Sequence, residues 1–165
     1  MIDINEAYIQ LNSWIDKSNG KPIQISDGME YSFIRKRKFT KSDFKDININ
    51  YPSQYIDFLI IVGEVELFIE DSLGIEIFGI DEVQNFSKQV FENFGDDLYP
   101  SLLLAVSLPT LGYFGGFYKE IDKNKNFSIF YPDIPAELWI EEADFIDCNE
   151  WIIFLVTTKN QEGIY

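Results

Sequence analysis

Apolar residues recur first at helical spacing and then at strand spacing within residues 49–80, the most strongly patterned stretch of the chain. Four of them fall at i, i+3, i+4 and i+7 and would share one face of a helix: Tyr55, Phe58, Leu59 and Val62. Pro52 suits the first helical residue because its φ is preset, and Gly63 suits the helix end. Residues 66–71 and 74–80 then alternate as half-buried strands do. We expect this helix and this strand pair to seed the core.

The same spacing rules predict the other elements. Helical stripes indicate a helix over residues 3–16, one that begins at an N-cap on Asp81, and a last one that begins after Asp147. Glu30–Phe39 alternates as a strand does, and further strands are predicted at four segments: Leu102–Leu108, Leu111–Ile121, 127–131 and, as an edge strand, 137–145. Strands follow one another without helices in the second half. We therefore predict a single α+β domain over residues 1–165, an antiparallel sheet with helices packed mainly on one side.

Acidic residues outnumber basic residues by 28 to 13, which gives a net charge of −15 at pH 7. The excess lies in residues 47–165, where 21 acidic and 5 basic residues give −16. Such a surface should repel nucleic acid and anionic membranes, because both are bound through cationic groups. It should attract a cationic partner and speed its arrival. Plain solubility is the alternative interpretation of the same charge.

Basic residues concentrate in one short stretch, residues 35–45. Its members are Arg35, Lys36, Arg37, Lys38, Lys41 and Lys45. On so acidic a chain this stretch is a weak signal for nucleic-acid binding, and the solvated face of a strand is the simpler interpretation. We expect no nucleic-acid partner.

The residues that usually carry catalysis or bind metals are scarce. The chain has no histidine, which removes the usual general base and the commonest transition-metal ligand. Asp122, Asn124 and Asn126 match the first positions of a calcium loop, but Phe127 stands where that loop needs glycine. Cys148 is the sole cysteine, and a packing role suits it better than a reactive one. We expect no metal, no cofactor and no enzymatic activity, with a small carboxylate-dependent hydrolase as the remote alternative.

Three features predict a cytoplasmic protein that does not enter a membrane. No apolar run approaches the roughly 20 residues that span a bilayer. The first ten residues carry acids and lack the basic region of a secretory signal. A single cysteine allows no internal disulfide, which suits a reducing compartment.

The central helix resembles the signature of a known family. Tyr51-Pro52, then Tyr55, then Phe58-Leu59, then Gly63 are similar to the signature of the SUKH superfamily, the Smi/Knr-like proteins. Tyr51 replaces that signature's leucine, and Val62 replaces its asparagine. The segment GIEIFGIDEV and the closing helix with Trp151 and Phe154 follow in the order of that superfamily. The resemblance implies a SUKH-like α+β fold and, in bacteria, most often a cytoplasmic immunity protein.

An immunity protein of a polymorphic toxin system would bind a basic protein toxin, frequently a nuclease, and neutralise it by covering its active surface. The resemblance carries over no contact residue, so we select acids in predicted loops and element ends: Asp71, Asp81, Glu82, Asp96, Asp97, Glu137, Glu141 and Glu142. A non-enzymatic scaffold or regulatory interaction module is the alternative function. Aromatic residues make up 16% of the chain, so we expect a monomer or a weak homodimer.

Overall fold

The computed structural model describes residues 2–70, 73–94, 97–121 and 124–160. Within them, seven strands form one sheet in which each strand pairs antiparallel with the next along the chain. The strands are β1 (Ile23–Ser26), β2 (Met29–Arg37), β3 (Glu64–Glu70), β4 (Leu73–Ile77), β5 (Leu102–Leu108), β6 (Tyr113–Tyr118) and β7 (Phe127–Phe130). The helices are α1 (Ile4–Ser18), α2 (Ser53–Ile61), α3 (Ile80–Phe94), α4 (Trp139–Glu142) and α5 (Cys148–Thr158). The predicted α+β fold is confirmed.

Strand β5 shows that the sheet has a core on each side. Neighbouring residues of a strand point to opposite faces. Leu103 and Ala105 belong to a core shared with α1, α2 and α5, whereas Leu102 and Leu104 belong to a second core shared with α3 and residues 136–139. Three helices therefore share one face, and α3 with the short α4 lies on the other.

Aromatic packing between α1, β2 and β3 organises the first core. Phe68 lies at its centre, with three rings at centroid distances of 5.1, 5.5 and 5.8 Å: Phe33, Tyr31 and Trp14. A bulge after Leu67 and a φ of 53° at Phe68 bring it there. Leu67 and Phe68 consequently enter the same core, although neighbours in a regular strand point to opposite faces.

The predicted helical stripe of α2 is confirmed, because Tyr55, Phe58, Leu59 and Val62 are all buried. Pro52 is the N-cap rather than the first helical residue. Its ψ of 140° is extended, and its carbonyl accepts hydrogen bonds from the N–H groups of Tyr55 and Ile56. Gly63 follows the helix with a φ of 108°, and a Cβ there would collide with the backbone oxygen of Arg37.

The predicted N-cap on Asp81 is wrong. Helix α3 already begins at Ile80, so Asp81 lies inside its first turn. The chain already turns at Gly79, whose carbonyl accepts a hydrogen bond from the N–H of Glu82 at 3.0 Å. Asp81 therefore extends from the helix start and is free to pair with another side chain.

The edge strand predicted at residues 137–145 is also wrong, since this segment forms a 3₁₀ turn (Ala136–Leu138) and then α4. Ala136 and Trp139, three residues apart, are 0% and 1% exposed, whereas Leu138 between them is 37% exposed. The Trp139 indole N–H donates to the Ile134 carbonyl at 3.0 Å. A spacing of three, not two, is what buries both residues in the second core.

Gly63 offers a test of the join between α2 and β3. A left-handed conformation costs alanine roughly 1–2 kcal/mol. We expect Gly63→Ala to destabilise the protein by well over that amount, because the added Cβ would also collide with the Arg37 carbonyl. Gly28→Ala is the matched control, since Gly28 has a φ of 76° and open space around its Cα. Urea unfolding of both variants gives the comparison, and equal losses would contradict the steric account.

Candidate partner-binding surface

The structure places the predicted contact acids in three separate regions. All six within the described residues are exposed: Asp81, Glu82, Asp97, Glu137, Glu141 and Glu142. Asp71 and Asp96 lie outside the described residues. Asp81 and Glu82 lie in the first turn of α3, whereas Asp97 follows the far end of that 15-residue helix, which is about 22 Å long. The other three belong to the segment from the 3₁₀ turn to α4. The predicted acids therefore do not form one patch.

Asp81 and Glu82 instead join acids of β3 and β4 that the sequence prediction did not select. Glu66 and Glu76 are direct cross-strand partners. Glu64, also on β3, accepts a hydrogen bond from the N–H of Gly79, just before α3, and its carboxylate is influenced by the charges of Asp81 and Glu82. These five carboxylates make up what we call the β3–β4 acidic face: Glu64, Glu66, Glu76, Asp81 and Glu82.

Alternation along the strands explains this face. Val65 and Leu67 on β3, like Ile75 and Ile77 on β4, are buried in the first core. The glutamates between them must point to the opposite side of the sheet. The same alternation is visible in the sequence, but which side the helices leave uncovered is decided by tertiary packing.

Two basic residues pair with acids of this face, whose net charge stays negative. Lys36 Nζ lies 3.2 Å from Glu66 Oε1, and Arg37 pairs with Asp81 and, at 3.3 Å, with Asp43. The five carboxylates of the face against these two cations give a net charge of −3. The arrangement suits an incoming cationic group better than an anionic one.

Burial and neighbouring charges together shift two pKa values on this face. Burial raises the pKa of Glu64; Lys36 opposes the shift, and the carboxylates of Glu82 and Asp81 add to it. Burial alone would lower the pKa of Lys36, but its hydrogen bond to Glu66 and the charges of nearby glutamates raise it overall. Lys36 is thus held in its charged form by acids that outnumber it.

The basic stretch at residues 35–45 contributes three of its cations to contacts within the molecule. Arg35 donates to the Val62 carbonyl at 2.7 Å and to Asn12 Oδ1 at 2.5 Å, and it also pairs with Asp16 at 3.3 Å. Lys36 and Arg37 bind the acids already described, and the Arg37 guanidinium lies 4.3 Å from the centroid of the Phe39 ring. These three side chains therefore bind β2 to neighbouring parts of the molecule.

The acids of residues 137–142 lie beside a different feature. A cavity of about 160 Å³ is bordered by Trp139 and by the carboxyl-bearing residues Glu142 and Asp144. Trp139 packs against Phe91, in the C-terminal half of α3, at a ring distance of 6.2 Å. This second acidic group is therefore at the opposite end of α3 from the β3–β4 acidic face.

Neither region has the composition of a reactive site. Among the described residues, no group of three or more acidic, cysteine or histidine side chains is placed to hold a metal ion. Burial raises the pKa of the Cys148 thiol far above its ordinary value, which keeps it protonated. No helix in the described ranges has the length and apolar character needed to cross a membrane.

Comparison with known proteins identifies one full-length relative. The chain is 51% identical over 166 residues to immunity protein RhsIB of Dickeya dadantii (strain 3937), in an alignment that covers 98% of this chain and 99% of that protein. No protein-family model matches the chain, and no solved structure matches it. Membership of the SUKH superfamily therefore stays a prediction.

Glu64 gives a pH-dependent test of the charge crowding. Because its pKa is raised on folding, ionisation of Glu64 reduces stability as the pH rises through that pKa, and this cost is gone below the ordinary glutamate pKa. We expect Glu64→Gln to raise the unfolding free energy at about pH 7 and to have little effect at about pH 4. Glu137→Gln, on an exposed turn, should differ from the parent by less than about 0.5 kcal/mol at either pH. A pH-independent effect of Glu64→Gln would contradict the assignment.

Proposed function

The chain belongs to the family of immunity protein RhsIB, and from this premise we propose that it binds a cognate protein toxin and neutralises it. Identity of 51% in an alignment that covers 98% of this chain and 99% of that protein supports this role. The lack of histidine supports inhibition by binding rather than by chemistry on the toxin.

The toxin that best fits this surface is a basic one, and a nuclease in particular. A nuclease must hold a polyanion, so the surface around its active site is cationic. The inhibitor has a net charge of −15 and carries five carboxylates on the β3–β4 acidic face. An acidic protein that covers such a surface excludes the nucleic acid by occlusion, and the opposite charges speed the encounter.

The rigidity of the acidic face suits this role. Its glutamates are on paired strands, and its remaining two acids lie in the first turn of a 15-residue helix. The backbone of such elements needs little ordering when a partner binds, so less of the interaction free energy is lost as entropy. We propose that the inhibitor acts in the cytoplasm, as a monomer or a weak homodimer.

The decisive observation is the net negative β3–β4 acidic face on a full-length relative of an immunity protein, and co-expression tests it. The chain should restore growth to cells that express the toxin domain encoded beside its gene. In surface plasmon resonance, the association rate should fall about tenfold or more as salt rises from about 50 to about 500 mM. A folded protein that neither rescues growth nor binds that domain would contradict the immunity role.

Neutralising the predicted contact acids tests the electrostatic part of the mechanism. One variant carries six changes: Asp81→Asn, Glu82→Gln, Asp97→Asn, Glu137→Gln, Glu141→Gln and Glu142→Gln. We expect slower association and a shallower dependence of the rate on salt, because fewer charges attract the toxin at long range, whether or not each acid touches it. The control neutralises two exposed acids on helices of the opposite face of the sheet, Asp57→Asn on α2 and Glu150→Gln on α5, and should change the rate by about twofold at most. An unchanged salt dependence in the six-fold variant would count against these residues.

A further inference from the structure

Helix α3 and the segment at 136–142 cover only part of the second face of the sheet. The ring of Phe86 on α3 lies 4.5 Å from that of Phe78 and 5.7 Å from that of Phe114, and the second core continues from there toward β7. The cover therefore lies over β5, β6 and β7. Among the described residues, the second core includes no side chain of β2, β3 or β4.

Strand register identifies what lies beyond the cover. Residues directly opposite each other in an antiparallel sheet share a face. Phe114 is opposite Ser107, Ser107 is opposite Glu76, and Glu76 is opposite Glu66. Glu66 is in turn opposite Ile34 on β2. The residues that follow Phe114 in this row are all partly exposed: Ser107, Glu76, Glu66 and Ile34. A row of side chains with access to solvent therefore runs from β5 to β2 on the face where α3 lies.

This uncovered row places like charges side by side. Glu66 and Glu76 are direct cross-strand neighbours, an arrangement that destabilises a sheet. Glu64 is close enough to Lys36 for its charge to act on it, and Lys36 is the cation that pairs with Glu66. Three glutamates and one lysine give this part of the sheet a net charge of −2. Cationic groups brought by another molecule would relieve the repulsion.

We propose that this uncovered face of β2, β3 and β4 is where the cationic surface of the toxin docks, with arginine or lysine side chains placed over Glu66 and Glu76. The inference rests on the proposed function and specifies its contact surface. A second copy of the chain is a poor occupant, since two faces with the same negative charge repel each other. Asp81 and Glu82, at the start of α3, extend the negative surface along one side.

Paired charge reversals test the location. Glu66→Lys with Glu76→Lys changes the net charge by +4, and Glu137→Lys with Glu141→Lys changes it by the same amount on the second acidic group. Both variants therefore lose the same amount of long-range attraction. They differ in whether the changed residues lie in the proposed contact surface. With the toxin domain encoded beside the gene, we expect the dissociation constant to rise roughly 100-fold for the first pair and less than about threefold for the second.

A neutral pair keeps the test valid if the reversed protein folds poorly. Glu66→Gln with Glu76→Gln removes the cross-strand repulsion, so its melting temperature should equal or exceed that of the parent while its affinity falls about tenfold. Loss of stability together with loss of binding would indicate a structural role and would overturn the inference.

Thiol labelling provides a readout that does not depend on charge. Cys148 is the sole cysteine and is buried, so a cysteine introduced on the surface is the reactive one. In the complex, maleimide labelling of Glu76→Cys should slow by about tenfold or more, whereas labelling of Glu141→Cys should be unchanged. Protection at Glu141→Cys and not at Glu76→Cys, or equal losses from the two reversals, would overturn this inference and leave the immunity role intact. Failure of the parent protein to bind the toxin would overturn both.

Discussion

The need to bury both sides of β5 determines how the rest of the molecule is arranged. Residues 102–106 are all buried, so this strand requires a helical layer on each face of the sheet. Helices α1, α2 and α5 supply the first layer, and α3 with the 136–142 segment supplies the second. Strands β3 and β4 instead alternate apolar residues with glutamate, so they require cover on one face only. The second layer can therefore end at β5, and the glutamates of β3 and β4 stay partly exposed to solvent.

Local patterns were sufficient to predict the elements whose periodicity is strong. The stripe on α2 and the bounds of β5 both agree with the structure. The segment at 137–145 has few apolar residues, and their close spacing wrongly indicates a strand. Ala136 was left out of the pattern, and only with it does the spacing of three become visible. Trp139 is buried under α3, which is a tertiary contact that alternation within a short segment does not reveal.

The proposed contact surface is harder to predict from the sequence than the fold, for a physical reason. The sequence favours acids in loops and at element ends, where function is often found. That criterion selects Asp81 and Glu82 but not Glu66 and Glu76, whose alternation is typical of the ordinary solvated side of two strands. Whether such a side is solvated or covered depends on where α3 crosses the sheet. Strand order and register supply that information, and neither is written in the local sequence.

Segregation of charge follows from the same arrangement. Arg35, Lys36 and Arg37 come from one strand and are bound to the chain's own side chains or carbonyls, so they do little to balance acids elsewhere. Residues 47–165 then keep an excess of 16 negative charges, with 5 cations spread among 21 acids. Folding thus places Arg35, Lys36 and Arg37 in contacts within the molecule, and the carboxylates of β3 and β4 outnumber the cations beside them. A surface built in this way is most stable when another molecule supplies the missing positive charge, which is the property that an inhibitor of a basic protein needs.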